Sequence, residues 1–237
     1  MVLELKLRIG QKNVKIPLKN GIEISRPILR SGNVNAYFVD PVQFRTYTKN
    51  DFLANTQYGS SVNCEYFSLN AHGQSTHIEC YGHISKRPLH LNKALPKTHY
   101  LVELVDVVFG KDGKLTLPKI SSKVEGVIGR FYHDREVPQM FSGQNAPSFS
   151  PQVFQQHQWS IFVTDLPSVD PEKDDGQLLA HKAFWWNENK RNTQFISELA
   201  KIPMELQPGF YILAVQSLAI ESDASPARLI VYPINDV

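Results

Sequence analysis

The chain has 237 residues, 42% of them hydrophobic and 20% charged, enough for one domain that buries roughly 70% of its unfolded surface without a disulfide or metal to hold the core. A net charge of +2 and a pI of about 8.4, with no clustered basic run, argue against a nucleic-acid or polyanion partner. Two cysteines, Cys64 and Cys80, are too few for a secreted disulfide scaffold and are expected as reduced thiols in a cytoplasmic protein.

In chain order, residues 2–9 alternate, with Leu3, Leu5, Leu7 and Ile9 on one face and Glu4, Lys6 and Arg8 on the other. That is the pattern of a half-buried strand and not of a signal peptide. Residues 14–18 read as its partner across a turn at 10–13, and Pro17, with no N–H to donate, marks an edge or an end. Further strands are expected over 62–69, 100–109, 127–132, 160–164, 210–217 and 228–232, with Lys111-Asp112-Gly113 turning the chain after the second of these. Helices are expected at 150–157, where Pro151 follows a serine, at 178–186, and for a turn or two at 191–199. The longest apolar stretch, 211–220, is broken by Gln216 and too short to span a bilayer. With no linker and no repeat, residues 1–237 read as a single α/β domain, a mixed strand-rich sheet or barrel-like core covered by a few helices.

The dense feature is residues 72–83, which hold His72, His77 and His83, three of the chain's eight histidines, together with Glu79. On an extended stretch, His77 and Glu79 point the same way, about 7 Å apart along the strand, so their side chains can converge on one ion. Imidazole and carboxylate donors suit zinc, manganese or iron(II), and three such ligands leave a position open. The plain alternative is that these are loop histidines, because H-x-E alone is a common chance pattern. His90, His99, His133 and His157, taken singly, read as surface residues.

Thr76-His77-x-Glu79-x-x-x-His83, preceded by His72, resembles the H-x-G-T-H-x-D-x-x-x-H signature of the cyclase family of metal hydrolases, which includes kynurenine formamidase and isatin hydrolase. The likeness runs on in the family's order. Glu23-Ile24-Ser25-Arg26-Pro27 is similar to its N-terminal D-I-S-x-P. The segments 165–170, 181–185 and 197–199 are similar to its later metal-bearing stretches, and Asp223-x-Ser225-Pro226-x-Arg228 to its closing D-x-S-P-x-R.

The resemblance implies a cyclase-like, swivelling β/β/α fold and one or two ions of zinc or manganese. His72, His77 and Glu79 would hold the first ion. Glu79 would bridge to a second held with His181 and Glu198, and His83 would transfer the proton. The implied activity is hydrolysis of an amide (N-formyl or lactam) or a lactone, arylformamidase-like. Tyr66, Phe184 and Trp185 are candidates for the wall of a small-molecule pocket, although core packing also explains Phe184 and Trp185. For Asp223 and Arg228 a structural tie between loops is the expected role. The implied assembly is a homo-oligomer, dimer or tetramer, with no nucleic-acid or membrane partner.

Four departures stand out. Glu79 replaces the family's Asp and is longer by one carbon–carbon bond, on the order of 1.5 Å. Ser75 replaces a Gly and Tyr81 a Pro, and an extra residue after His72 must be absorbed in a bulge or wider turn. These changes keep open a second reading, a non-catalytic metal- or ligand-binding protein of the same fold. A third, a structural domain without metal, leaves the ordered matches unexplained.

Overall fold

Several strands of this chain are buried on both faces, which gives the sheet two apolar surfaces to bury, one on each side. The structure, a computed structural model, describes residues 4–9, 12–95 and 97–234. Seven strands close into a ring: β1 (His77–Cys80), β2 (His99–Asp106), β3 (Gly126–Arg130), β4 (Ile161–Thr164), β5 (Phe195–Glu198), β6 (Gly209–Ser217) and β7 (Ala224–Pro233). Their order around the ring is β6–β2–β3–β4–β5–β1–β7 and back to β6. The run β2–β3–β4–β5 is parallel, and every other pairing is antiparallel. Closure removes the open edges of these strands. A two-residue strand, Ile22–Glu23, adds to the outside of β7.

Inside the ring, Ile78 and Cys80 meet Tyr100, Val102, Leu104, Ile128, Ile161, Val163, Phe195, Leu213 and Leu229 in one cluster. Outside it, Val127, Phe162 and Ile196 are covered by two of the four short helices among the described residues. In chain order the helices are α1 (Ala71–Gln74), α2 (Leu91–Ala94), α3 (Pro151–Gln155) and α4 (Leu179–Phe184). Phe154 of α3 stands edge-on to both Phe162 of β4 and Phe184 of α4, which fastens the helices to the barrel wall. Among the described residues no helix is long and apolar enough to cross a membrane.

The α/β class and the barrel-like core are as expected. In the N-terminal hairpin, Glu4–Ile9 pairs with Lys12–Pro17, which ends at Pro17. The expected turn lies partly outside the described residues, as do residues 2 and 3. One expected helix is absent: 191–199 makes a single 3-10 turn, Arg191–Thr193, and then becomes β5. All four β5 residues are buried, with β4 and β1 on either side. A strand covered on both faces shows no period of two, so its sequence looks no different from that of a buried helix. The strand expected at 62–69 shrinks to Glu65–Ser68, which forms a surface hairpin with Gln43–Thr46.

The chain leaves β1 through a 3-10 turn, Tyr81–His83. A Cβ on Gly82 would lie 2.0 Å from the Leu89 carbonyl oxygen, a backbone atom that cannot swing away. Gly82→Ala is therefore expected to cost roughly 1–3 kcal/mol of stability. A urea melt checks this, and an unchanged midpoint would show that the turn is not held this tightly.

Candidate metal centre

The site begins with the alternation of β1. Ile78 and Cys80 point into the barrel, so His77 and Glu79 point out of it. In the antiparallel ladder with β5, Ile196 lies opposite Glu79 and Glu198 opposite His77, which places the Glu198 carboxylate on the same outer face. On the other flank, Ala224 of β7 pairs with Glu79, bringing Asp223 to the cluster's rim. Helix α4 adds His181, α1 adds His72, and the turn after β1 adds His83.

Glu79, fully buried, is the hub. Its Oε2 lies 3.2 Å from His72 Nδ1, 3.8 Å from His77 Nε2 and 3.9 Å from His83 Nδ1. Its Oε1 lies 3.1 Å from His181 Nε2. Glu198 spans the far side, with Oε2 3.5 Å from His77 Nε2 and Oε1 3.7 Å from His181 Nε2. Asp223 Oδ2 is 3.0 Å from both His72 Nε2 and His83 Nδ1.

The surroundings fix how each ring presents itself. His77 Nδ1 faces the Ser75 carbonyl at 3.1 Å, so Nδ1 donates and the Nε2 lone pair faces the carboxylates. His181 Nδ1 is 2.6 Å from Asp170 Oδ2, which turns Nε2 towards Glu79 and Glu198. Asp170 is held in turn by the backbone N–H groups of Ala180 and His181. This carboxylate–histidine pairing is the usual support for an imidazole ligand. Glu198 Oε1 accepts the Val169 N–H at 2.8 Å.

The next residue, Leu199, has φ +56°, a strained value for a branched side chain. Its carbonyl is pinned by Thr76 Oγ1 at 2.7 Å and Arg26 Nε at 3.0 Å, and Thr76 also accepts the Arg26 N–H. The 23–27 segment thus locks the ends of β1 and β5 together.

Among the described residues four buried side-chain atoms have no hydrogen-bond partner, and two of them, His77 Nε2 and Glu79 Oε2, face each other in this cluster. Lone pairs facing each other without a donor are costly in a buried site. A divalent cation satisfies both. The donor set fits one, since His72–His77–Glu79 and Glu79–His83–His181 each bring their ligand atoms within 4.8 Å of one another. Without a cation the field falls on the histidines. Burial opposes charge on His72, but Asp223 and Glu79 outweigh it and push its pKa up to about 10. Burial likewise opposes charge on His181, and Asp170 and Glu79 carry its pKa well above the usual range. A site that binds protons this strongly is one that favours cations.

No family model matches the chain, and no curated protein resembles it in sequence. Solved structures do resemble it. A predicted metal-dependent hydrolase from Bacillus stearothermophilus superposes with a TM-score of 0.59 at 16% identity, covering 90% of this chain and 97% of that one. A potential metal-dependent hydrolase with cyclase activity gives 0.60 at 15%, covering 90% and 98%. An isatin hydrolase bound to the product analogue thioisatinate gives 0.60 at 14%, covering 91% and 92%. The chain has the cyclase-like fold.

In this cyclase-like chain the six polar residues expected at the site, His72, His77, Glu79, His83, His181 and Glu198, come together. His72 sits in α1, a turn of helix capped by Asn70, whose side chain accepts the Gly73 N–H at 3.0 Å. The apolar candidates fare differently. Phe184 is buried against Phe154, and Trp185, 2% exposed, backs the His181 ring and gives its indole N–H to Gln194. Neither has a face open to a substrate. Tyr66 is exposed on the surface hairpin beside Tyr47.

Arg228 ties to Glu23 at 2.9 Å, but Asp223 is more than a loop tie, because its carboxylate enters the histidine cluster. Asp223 and Asp170 are the residues missed in sequence. Both lie in segments whose sequence resembles the family's, yet only strand register and the start of α4 reveal where their side chains go.

Saturating zinc, at about a hundred times its Kd, is expected to raise the unfolding free energy by about 2.7 kcal/mol. A chelator should reverse the gain, and His77→Ala should abolish it. An identical thermal shift in the His77→Ala protein would place the ion elsewhere.

Proposed function

We propose that the protein is a metal-dependent hydrolase acting on the carbonyl of an amide (N-formyl or lactam) or a lactone. The observation that carries this reading is the pair of buried, unpartnered atoms, His77 Nε2 and Glu79 Oε2, beside a histidine that remains reachable from solvent. His72, His77 and Glu79 are the residues to hold a first zinc or manganese ion, and His181 and Glu198 a second, with Glu79 shared. Such an ion supplies Lewis acidity, which polarises a carbonyl and makes water a nucleophile near neutral pH.

The chain's own residues do the rest. His83, with a side chain 28% exposed, reaches the mouth of the site. Its Nδ1 is engaged by Asp223, so Nε2 is the atom that takes a proton from water and passes it to the leaving nitrogen or oxygen. The Ser75 carbonyl and Asp170 keep His77 and His181 facing inward. The expected setting is a cytoplasmic homo-oligomer that acts on a small molecule.

The test is a screen of N-formyl amides, lactams and lactones with zinc- and manganese-loaded protein. His83→Ala is expected to keep its metal and lose roughly 10²–10⁴-fold in kcat, whereas Glu79→Ala should lose both metal and activity. Full turnover by His83→Ala would refute the proton-transfer role. Metal binding with no turnover of any substrate would leave a binding protein of the same fold.

A further inference from the structure

The two most exposed histidines of the cluster share one carboxylate oxygen. Asp223 Oδ2 lies 3.0 Å from His72 Nε2 and 3.0 Å from His83 Nδ1. Its other oxygen, Oδ1, accepts from Ser222 Oγ at 3.1 Å. The carboxylate is placed by the backbone and not by a flexible reach. The Cys80 N–H donates to the Asp223 carbonyl at 3.0 Å, and the Leu91 N–H to the Ser222 carbonyl at 2.8 Å. The next residue, Ala224, pairs with Glu79 in the β7–β1 ladder. Asp223 is therefore locked to the strand that carries the hub of the site.

An ionised carboxylate only accepts, so a ring nitrogen facing it must carry the hydrogen. A neutral imidazole has a single N–H. For His72 that N–H is then at Nε2, leaving the Nδ1 lone pair aimed at Glu79 and His77. For His83 it is at Nδ1, leaving Nε2 bare.

We infer that Asp223 is the positioning residue that sets opposite tautomers in these two rings, making His72 a ligand through Nδ1 and His83 a proton acceptor through Nε2. This rests on the reading of the cluster as a metal site. It explains how His72, despite the extra residue that separates it from His77, is still aimed at the ion: its far nitrogen is anchored from β7.

The experiment uses the full chain loaded with zinc, which is diamagnetic, and needs no substrate. Long-range 1H–15N correlation spectra of the side-chain imidazoles are expected to show His83 protonated at Nδ1 with Nε2 bare, and His72 protonated at Nε2. D223N, close in shape but without the charge, is expected to bind zinc 10–100-fold more weakly in a competition titration with a chelator dye, and its His83 should show a mixture of tautomers. D223N binding zinc as tightly as wild type, or wild-type His83 protonated at Nε2, overturns the inference. If D223N fails to fold, the wild-type spectrum alone decides. Wild type that binds no zinc overturns the metal reading beneath it, an outcome distinct from an undiminished D223N.

Discussion

A four-residue strand has to serve two environments at once. On β1 the inward residues, Ile78 and Cys80, belong to the core of a closed barrel, and the outward residues, His77 and Glu79, form the floor of a charged cluster. A shift of one residue in register would put a carboxylate among Val102, Ile128 and Leu213 and an isoleucine among the buried histidines, an exchange the barrel core cannot tolerate. Both ladder neighbours are subject to the same constraint. Glu198 and Asp223 reach the cluster only because β5 and β7 pair with β1 in the observed register.

Around that strand the polar groups are organised in two shells. The inner one, Glu79, Glu198, His72, His77 and His181, has more lone pairs than donors. The outer one supplies what orients them: the Ser75 carbonyl for His77, Asp170 for His181, the Val169 N–H for Glu198. The strained Leu199, with its carbonyl doubly bonded by Thr76 and Arg26, belongs to the same scaffold. Such a backbone conformation persists only where the surroundings overdetermine it, and here it turns the chain immediately after Glu198. The longer Glu79, in place of an Asp, is accommodated with both of its oxygens among histidines.

The strands that alternate, and those rich in valine and isoleucine, were legible in the sequence, and so was the convergence of His77 and Glu79, whereas His72 came only from the family resemblance. β5 was not. Phe195-Ile196-Ser197-Glu198 carries no period because both of its faces are covered, and the stretch before it has the polar character of an exposed helix. Phe184 and Trp185 were readable as aromatics beside a ligand, but the sequence does not say which way a helix rotates. α4 turns Phe184 into the barrel wall and Trp185 behind the imidazole. Asp223 was hidden for a different reason: its position depends on a ladder between strands more than a hundred residues apart.

The closure of the ring carries a temporal consequence. β1 precedes in the chain its partners β5 and β7 and the β6–β7 hairpin that joins the two ends of the sheet. Contacts this distant in sequence form slowly because the entropy of closing long loops must first be overcome. Until the final strand docks, Glu79 lies on an open edge without Glu198 or Asp223, and His72 has nothing to aim it. An incompletely folded chain therefore presents only scattered histidines, and the cluster is assembled together with completion of the barrel itself.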